Sequence, residues 1–432
     1  MMEGLGYKPY ESYKDSHASW LGEVPSDWQV GPGRICIYEN KDKNTGMKES
    51  TVLSLSYGRV IVKDEDKMTG LVPESYETYQ IVQPGDIIIR GTDLQNDVTS
   101  LRTGLAKDHG IITSAYINLR SKPNAYAEFL HYVLHSYDVK KVFYGLGSGL
   151  RQNLSYVDFK YLTIPLPSLP EQRAIVAVLD DKCAKIEGAV KIKEDQIALL
   201  RERRQIIIQD AVTRGLNPAA PMKDSGIDWI GQIPAHWKVK PLRHISKIHS
   251  GNGFPIELQG DENGTIPFMK VSDFSSTSRD IDTANNMVSE KTIKQRGWNK
   301  VPIGALVTAK IGEALRKNHR NIIQTEAVID NNCIAFEAMG VDSIYFYWLH
   351  KIIDFEWFVN PGAVPSISVS KYKSEKSALP PLTEQRKIVE HIVKQSTKID
   401  DGIAIKQDQI AALKEYKTSL INAAVTGKIK VI

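Results

Sequence analysis

Residues 186–211 read IEGAVKIKEDQIALLRERRQIIIQDA, and residues 399–424 read IDDGIAIKQDQIAALKEYKTSLINAA. In the first stretch Ile186, Val190, Lys193, Ile197, Leu200, Arg204, Ile207 and Ala211 recur at alternating spacings of four and three. That is a heptad seam, and it predicts a long α-helix that packs along a partner helix. In the second stretch Ile399, Ile403, Lys406, Ile410, Leu413, Lys417, Leu420 and Ala424 repeat the pattern. Both seams carry a base at the same two places, Lys193/Lys406 and Arg204/Lys417. Long basic stems can flank an apolar seam and still reach water or a partner carboxylate.

The helices begin alike, LPEQRAIV from 169 and LTEQRKIV from 382, a shift of 213. Ser168 and Glu171 have capping-box spacing, with Pro170 in the first turn. Thr383 is the expected N-cap of the second copy. Two matching seams in one chain are most economically paired antiparallel, about a pseudo-two-fold axis; the alternative is that each helix packs on its own domain. The 186–211 seam would span roughly 38 Å, close to one turn of duplex DNA.

A second repeat lies outside the helices. Residues 15–30 read DSHASWLGEVPSDWQV and residues 224–239 read DSGIDWIGQIPAHWKV, a shift of 209. These leaders are short and broken by proline, so they read as extended or turn segments. Trp20, Trp28, Trp229 and Trp237 are expected to pack them onto a core. A period of this size is a domain duplication, not a solenoid.

Between the constant frames lie two inserts with little likeness in sequence. The first has strand-like runs at 51–55, 58–62, 86–89 and 114–119; the second at 265–271, 305–309 and 332–336. Helical stretches follow at 125–137 and 341–358. QPGDIIIR (83–90) and VPIGALVT (301–308) occupy similar places, and Gly149 aligns with Gly362, Ser155 with Ser368. The inserts therefore read as diverged copies of one mixed α/β fold. The expected boundaries are a leader at 1–30, an insert at 31–165, a long helix at 166–220, a second leader at 221–240, an insert at 241–378 and a long helix at 379–432.

Composition excludes several classes. Hydrophobic residues make 42% and charged residues 25% of 432, the balance of a soluble globular protein. No run is apolar enough to span a bilayer, and the start lacks a signal-peptide pattern, so a cytoplasmic place is expected. Cys36, Cys183 and Cys333 lie far apart, outside metal or redox spacing, and read as buried fillers. Net charge is +4, and each insert holds 16 Lys+Arg against 15 Asp+Glu. A chain gripping nucleic acid by bulk charge alone would be more basic. Any DNA reading would use local clusters, or a partner would supply phosphate grip.

The paired leaders WLGEVPSDW and WIGQIPAHW, the helix starts LPSLPEQRAIV and LPPLTEQRKIV, and the helix ends QDAVTRGL and NAAVTGKI carry a resemblance. So does GNGFPIELQ (251–259) with IPFMKVSDF (266–274). Together they resemble the specificity (S) subunits of type I restriction–modification systems, over essentially the whole chain. The resemblance implies an α/β architecture of two similar target-recognition domains separated by two long antiparallel helices. Each domain would read half of a bipartite double-stranded DNA site, and the helix pair would set the gap and dock partners. Those partners would be two methyltransferase (M) subunits, which bind S-adenosylmethionine, and two restriction (R) subunits, which use ATP and Mg²⁺. The chain itself would hold no cofactor and no catalytic site. One departure is the helix ends, TRGL against TGKI.

The motifs of catalysis are missing from the sequence. There is no Asn/Asp-Pro-Pro-aromatic loop, no GxxxxGK[S/T], no HExxH and no Cys/His metal spacing. Glu65-Asp66-Lys67 reads as a solvated turn, and Gly145–Gly149 as a flexible loop. Base edges are read by Arg, Lys, Asn and Gln. The densest such cluster is Lys310, Arg316, Lys317, Asn318, His319 and Arg320, opposed only by Glu313, and it reads as a DNA-facing loop or a solvated one. Its counterpart is Arg90, Gln95, Asn96, Arg102 and Lys107, diluted by acids such as Asp93. Arg151, Gln152 and Asn153 follow the glycine-rich loop and could face a groove. Lys291, Lys294, Arg296 and Lys300 read as a solvated patch. A single-chain methyltransferase or nuclease with a diverged motif, or a coiled-coil scaffold without a DNA role, are the rival readings.

Overall fold

The computed structural model describes residues 7–63, 75–97, 99–147, 152–259, 264–274, 278–360, 362 and 364–431. Its α-helices, in chain order, are α1 (Ala127–Val139), α2 (Tyr156–Tyr161), α3 (Leu169–Arg214), α4 (Glu290–Arg296), α5 (Ser343–Ile352), α6 (Val369–Ser374) and α7 (Leu382–Val425). α3 and α7 have 46 and 44 residues, about 69 and 66 Å at the usual helical rise. The chain forms two compact units, residues 1–194 with 406–432, and residues 195–405. Each unit contains a stretch of both long helices.

In the first unit an antiparallel sheet runs in the order Ile37–Glu39, Ile117–Ser121, Ile87–Ile89, Thr103–Leu105. Ile87, Ile88 and Ile89 are all buried, as expected of a central strand covered on both faces. α1 turns Phe129, Leu130, Val133 and Leu134 onto this sheet at helical spacing, where they meet Trp28, Leu179 of α3 and Leu420 and Ala424 of α7. In the second unit the order is Ser246–Ser250, Cys333–Ala338, Leu306–Ala309, Asn321–Ile323, Asp280–Ile281, antiparallel except for the last pair. Tyr345, Phe346 and Leu349 of α5 pack with Phe336 and Tyr372, and with Val212 of α3 and Ile388 of α7.

The heptad seam is where the long helices meet. In the first unit Ile186 and Leu420 are buried, and Val190, Lys193, Lys406, Ile410, Leu413 and Lys417 are half-buried. In the second, Ile197, Ile399 and Ile403 are buried, and Leu200, Arg204 and Ile207 half-buried. Glu187 meets Lys417 at 2.6 Å in the first unit, and Lys193 faces Lys406. Rising number on one helix matches falling number on the other, so the pair is antiparallel. The second unit agrees, with Arg204 on Asp400 at 2.6 Å and Leu200 beside Gly402. Two seam bases thus run their stems along the apolar groove and end on carboxylates at its rim. The helices pack on their domains as well as on each other, so the two readings of the seam are not exclusive.

The repeated leader and helix start explain one another. The Trp28 indole N–H donates to Glu171 at 3.1 Å, and that of Trp237 to Glu384 at 3.2 Å. Gln172 accepts from the Tyr126 amide and donates to the Pro167 carbonyl; Gln385 accepts from the Asp342 amide and donates to the Pro380 carbonyl. The Glu-Gln pair of each EQR therefore ties a leader and the start of a domain helix to the first turn of a long helix. Each leader also packs against the end of a long helix. Gly427 sits on Pro25 and Trp28, and Gly215 on Pro234 and Trp237, so close that a Cβ would collide or crowd. Both glycines have φ near +70°, the left-handed stop that glycine adopts freely.

Two capping expectations need correction. Thr383 lies inside α7, and the Pro381 carbonyl accepts from the Glu384 and Gln385 amides instead. At α3 Ser168 Oγ accepts from the Glu171 amide, but the Glu171 carboxylate bonds Trp28 and Tyr10, so the reciprocal half of the box is replaced by a tertiary contact. The 341–358 stretch is two elements, α5 and a 3-10 turn at Phe355–Phe358. The three cysteines are buried and free. Among the described residues no helix is long and apolar enough to cross a membrane.

Candidate nucleic-acid interface

In each unit a long loop joins two antiparallel strands of the sheet. In the first it spans 90–102, between Ile87–Ile89 and Thr103–Leu105, with Ile89 opposite Thr103. In the second it spans 310–320, between Leu306–Ala309 and Asn321–Ile323. Both loops are tied to the segment before a short helix, α2 or α6. The Leu154 amide donates to the Gly91 carbonyl at 2.7 Å, and the Ile367 amide to the Lys310 carbonyl at 2.9 Å. Sequence alignment of Ser155 with Ser368 and this pair of bonds identify the same joint in both units.

The first loop presents Gln95 and Asn96 as exposed amides, with Arg90 half-exposed. Arg90 pairs with Asp97 at 3.3 Å. The Asp97 carboxyl is held well below its usual range, chiefly by the Ser100 amide. Asn96 Nδ2 donates to Asp93 Oδ1 at 2.8 Å, and Asn153 Oδ1 accepts from the Asp93 amide at 3.0 Å. Gln152 spends its amide on the Tyr144 and Leu146 carbonyls, so it shapes the surface and does not extend from it. Lys107 lies beyond the far end of Thr103–Leu105, where its charge is felt by Glu187 and His131; it does not join this loop. Arg151 falls outside the described residues, as do Glu65, Asp66 and Lys67.

In the second loop Arg316 and Lys317 are exposed, and Lys310, Asn318 and His319 half-buried. The sequence shows one opposing acid, but folding adds another. Arg316 bonds Glu313 at 3.0 Å and Glu356 at 2.9 Å, which neutralises it and leaves Lys317 as the outward base of the loop. Lys317 and His319 line a cavity of about 200 Å³ with Ser272, Phe274 and Ala309. Neither Glu356 nor Phe274 was identifiable from sequence as a neighbour, since each lies dozens of residues from the loop.

Two expected base-reading residues are interior. Arg102 is fully buried and Arg320 is 2% exposed; their guanidinium groups are enclosed by protein and cannot reach a base edge. Of the solvated patch, Lys300 pairs with Glu290 and Glu326, and Arg296 with Glu257. Among the described residues no group of three or more His, Cys, Asp or Glu is placed to hold a metal.

The type I restriction modification DNA specificity domain matches residues 39–194 and 234–415, one copy over each insert and its following helix. The chain belongs to this family. Among its relatives, the type I restriction enzyme MjaVIII specificity subunit of Methanocaldococcus jannaschii is 24% identical over 98% of this chain and 96% of its own. A chain from a structure described as the basis of complex assembly and conformational transition of the type I R-M system superposes with a TM-score of 0.70 at 15% identity, covering 93% of this chain and 98% of that one. The HsdS subunit from Thermoanaerobacter tengcongensis gives a TM-score of 0.53 at 16% identity, covering 94% and 98%. The chain thus shares the fold of solved S subunits and, as a member of this family, has a DNA sequence-specificity role. The rival readings, a diverged single-chain enzyme or a scaffold with no DNA role, find no support in these likenesses.

Proposed function

We propose that the loops 90–102 and 310–320 each read one half of a bipartite double-stranded DNA site. One observation carries this: two units place the same long loop at the same joint of the same kind of sheet, with polar tips that differ. Gln95 and Asn96 suit adenine edges, and Lys317 suits guanine or a phosphate. In this reading the chain is non-catalytic. Two methyltransferase subunits, which carry S-adenosylmethionine, dock on the leaders and helices, and two restriction subunits with ATP and Mg²⁺ complete the complex. The lengths of α3 and α7 set the gap between half-sites.

The test is methylation mapping. The chain is expressed with its partner methyltransferase in a methylation-free host, and modified adenines are read across the genome. One asymmetric bipartite motif with a fixed spacer is expected. Adding a heptad to both α3 and α7, about 10 Å, should widen the spacer by roughly three base pairs at ~3.4 Å each. Absence of any motif with a bound partner refutes the two-reader account, and an unchanged spacer refutes the ruler.

A further inference from the structure

The two buried arginines occupy corresponding places. Arg102 is the last residue before Thr103–Leu105, and Arg320 the last before Asn321–Ile323. Each thus closes the loop of its own unit. Each also packs on an aromatic of the 3-10 turn that follows the domain helix. The Arg102 guanidinium lies 5.4 Å from the Tyr144 ring, in Val142–Gly145, and that of Arg320 lies 4.3 Å from the Phe355 ring, in Phe355–Phe358.

Arg102 is wrapped by its loop. Nη1 donates to the Arg90 and Thr92 carbonyls at 3.2 and 2.8 Å, and Nη2 to the Asp93 and Asp97 carbonyls at 3.3 and 2.5 Å. Nε donates to the Tyr144 hydroxyl at 3.2 Å, and that hydroxyl donates to the Asp97 carbonyl at 2.9 Å. Burying a cation is costly unless its donors are satisfied. Four carbonyls from residues 90–97 satisfy this one, so the backbone must follow the path that delivers them. That path includes a left-handed residue at Asp93, φ 60°, and it fixes the direction in which Gln95 and Asn96 leave the loop.

In the second unit Arg320 Nη2 donates to Asn318 Oδ1 at 2.6 Å and to the Ile353 carbonyl at 2.5 Å. Asn318 is the left-handed residue here, φ 55°. Arg316 reaches Glu356 in the same 3-10 turn. This loop is fastened outward to the turn where the first is folded around its arginine.

We infer that Arg102 and Arg320 are positioning residues for sequence recognition, each holding one reading loop in the shape that sets its specificity without touching DNA. The inference rests on the proposal that these loops read DNA. A lysine cannot replace Arg102, whose three nitrogens bond separate acceptors, because its donors radiate from one point and lack the planar fork; at Arg320 it would lose the flat face that packs on the Phe355 ring. A reading group misplaced by about 1 Å loses selectivity even when it is present.

The experiment is the methylation map of the chain with its partner methyltransferase, repeated for Arg102→Lys, Arg102→Met, Arg320→Lys and Arg320→Met. The ratio of methylation at the full motif to that at single-mismatch sites is scored for each half-site. Both Arg102 variants should lower discrimination at least tenfold in one half-site and leave the other unchanged; both Arg320 variants should do the reverse. A role in folding alone would lower total methylation with the motif intact, and that result overturns the inference, as does equal relaxation of both halves. If the methionine variants fail to accumulate, the lysine variants, which keep charge and length, decide. Gln95→Ala with Asn96→Ala, and Lys317→Ala, separate the two levels. If these leave the motif unchanged, the loop reading itself fails; if they alter it and the arginine variants do not, the positioning inference alone fails.

Discussion

Replacing Trp28 by phenylalanine isolates the bond between the first leader and α3. Trp28 is 1% exposed and stands edge-on to Tyr10 and Phe129, with ring centroids at 5.7 and 6.4 Å. Phenylalanine keeps most of that apolar contact but removes the N–H that donates to Glu171. A hydrogen bond to a charged group contributes about 1.5–3 kcal/mol. The low end applies, because Glu171 Oε1 still accepts from the Tyr10 hydroxyl at 2.7 Å. The lost ring atoms leave a small void worth roughly 1 kcal/mol. Together the change destabilises the first unit by about 2–3 kcal/mol. Hydrogen exchange on the intact chain reads this segment by segment; protected amides of 117–139 should exchange roughly 30- to 150-fold faster, at tenfold per ~1.4 kcal/mol. Trp237→Phe should do the same in the second unit, where Glu384 likewise keeps a second partner in His236 at 2.7 Å. Each effect should stay within its own unit. A change below about threefold would show that the indole–carboxylate bond carries little stability. Equal loss in both units would show that they do not open separately.

Two further outcomes follow from buried titratable groups and from the seam. His350 is fully buried, with Nδ1 on the Phe346 carbonyl and Nε2 on the Tyr372 hydroxyl, and burial pushes it down to about 3. The unfolded chain takes up a proton near its ordinary value of about 6.5 and the folded chain does not, so stability is full above that value and falls with pH. At pH 5 the loss is about 2 kcal/mol; urea unfolding should show it, and His350→Gln should flatten the decline. At the seam, Lys193 and Lys406 bring like charges together, and burial with Lys406 lowers the Lys193 ammonium below its usual value. Lys193→Leu with Lys406→Leu should raise the melting temperature by calorimetry, since apolar residues at such positions favour helix pairing; a lower melting temperature would show that the lysines support it.

Much of the architecture was legible because it repeats. The heptad spacing alone located α3 and α7 and the face on which they meet, since a helix fixes which residues share a stripe. Most of the strand-like runs fell on or beside strands, because short apolar segments bounded by turns have few other uses. The candidate loops were less legible. Counting bases after strands found clusters at 90–107 and 310–320, but it ran the first past its loop to Lys107 and grouped interior and exterior residues together. Arg102 and Arg320 looked like neighbours of Gln95 and Lys317, and an arginine that reaches outward has the same letter as one that holds a loop from beneath.

The duplication, the long helices with their seam, the α/β character of the inserts and the family are all written in the order of residues. These depend on periodicity and on repeated local motifs, which act over a few turns or a few strands. What the repeated pieces do depends on how the chain folds. Folding gave Glu171 and Glu384 to the leader tryptophans, Glu171 in place of a capping box. It also brought Glu356 to neutralise Arg316, and turned two arginines inward to their loop carbonyls, an aromatic ring or both. Each of those outcomes joins residues far apart in the chain, and charge and hydrogen bonding inside a fold are settled by which groups share a space, not by which are adjacent in sequence.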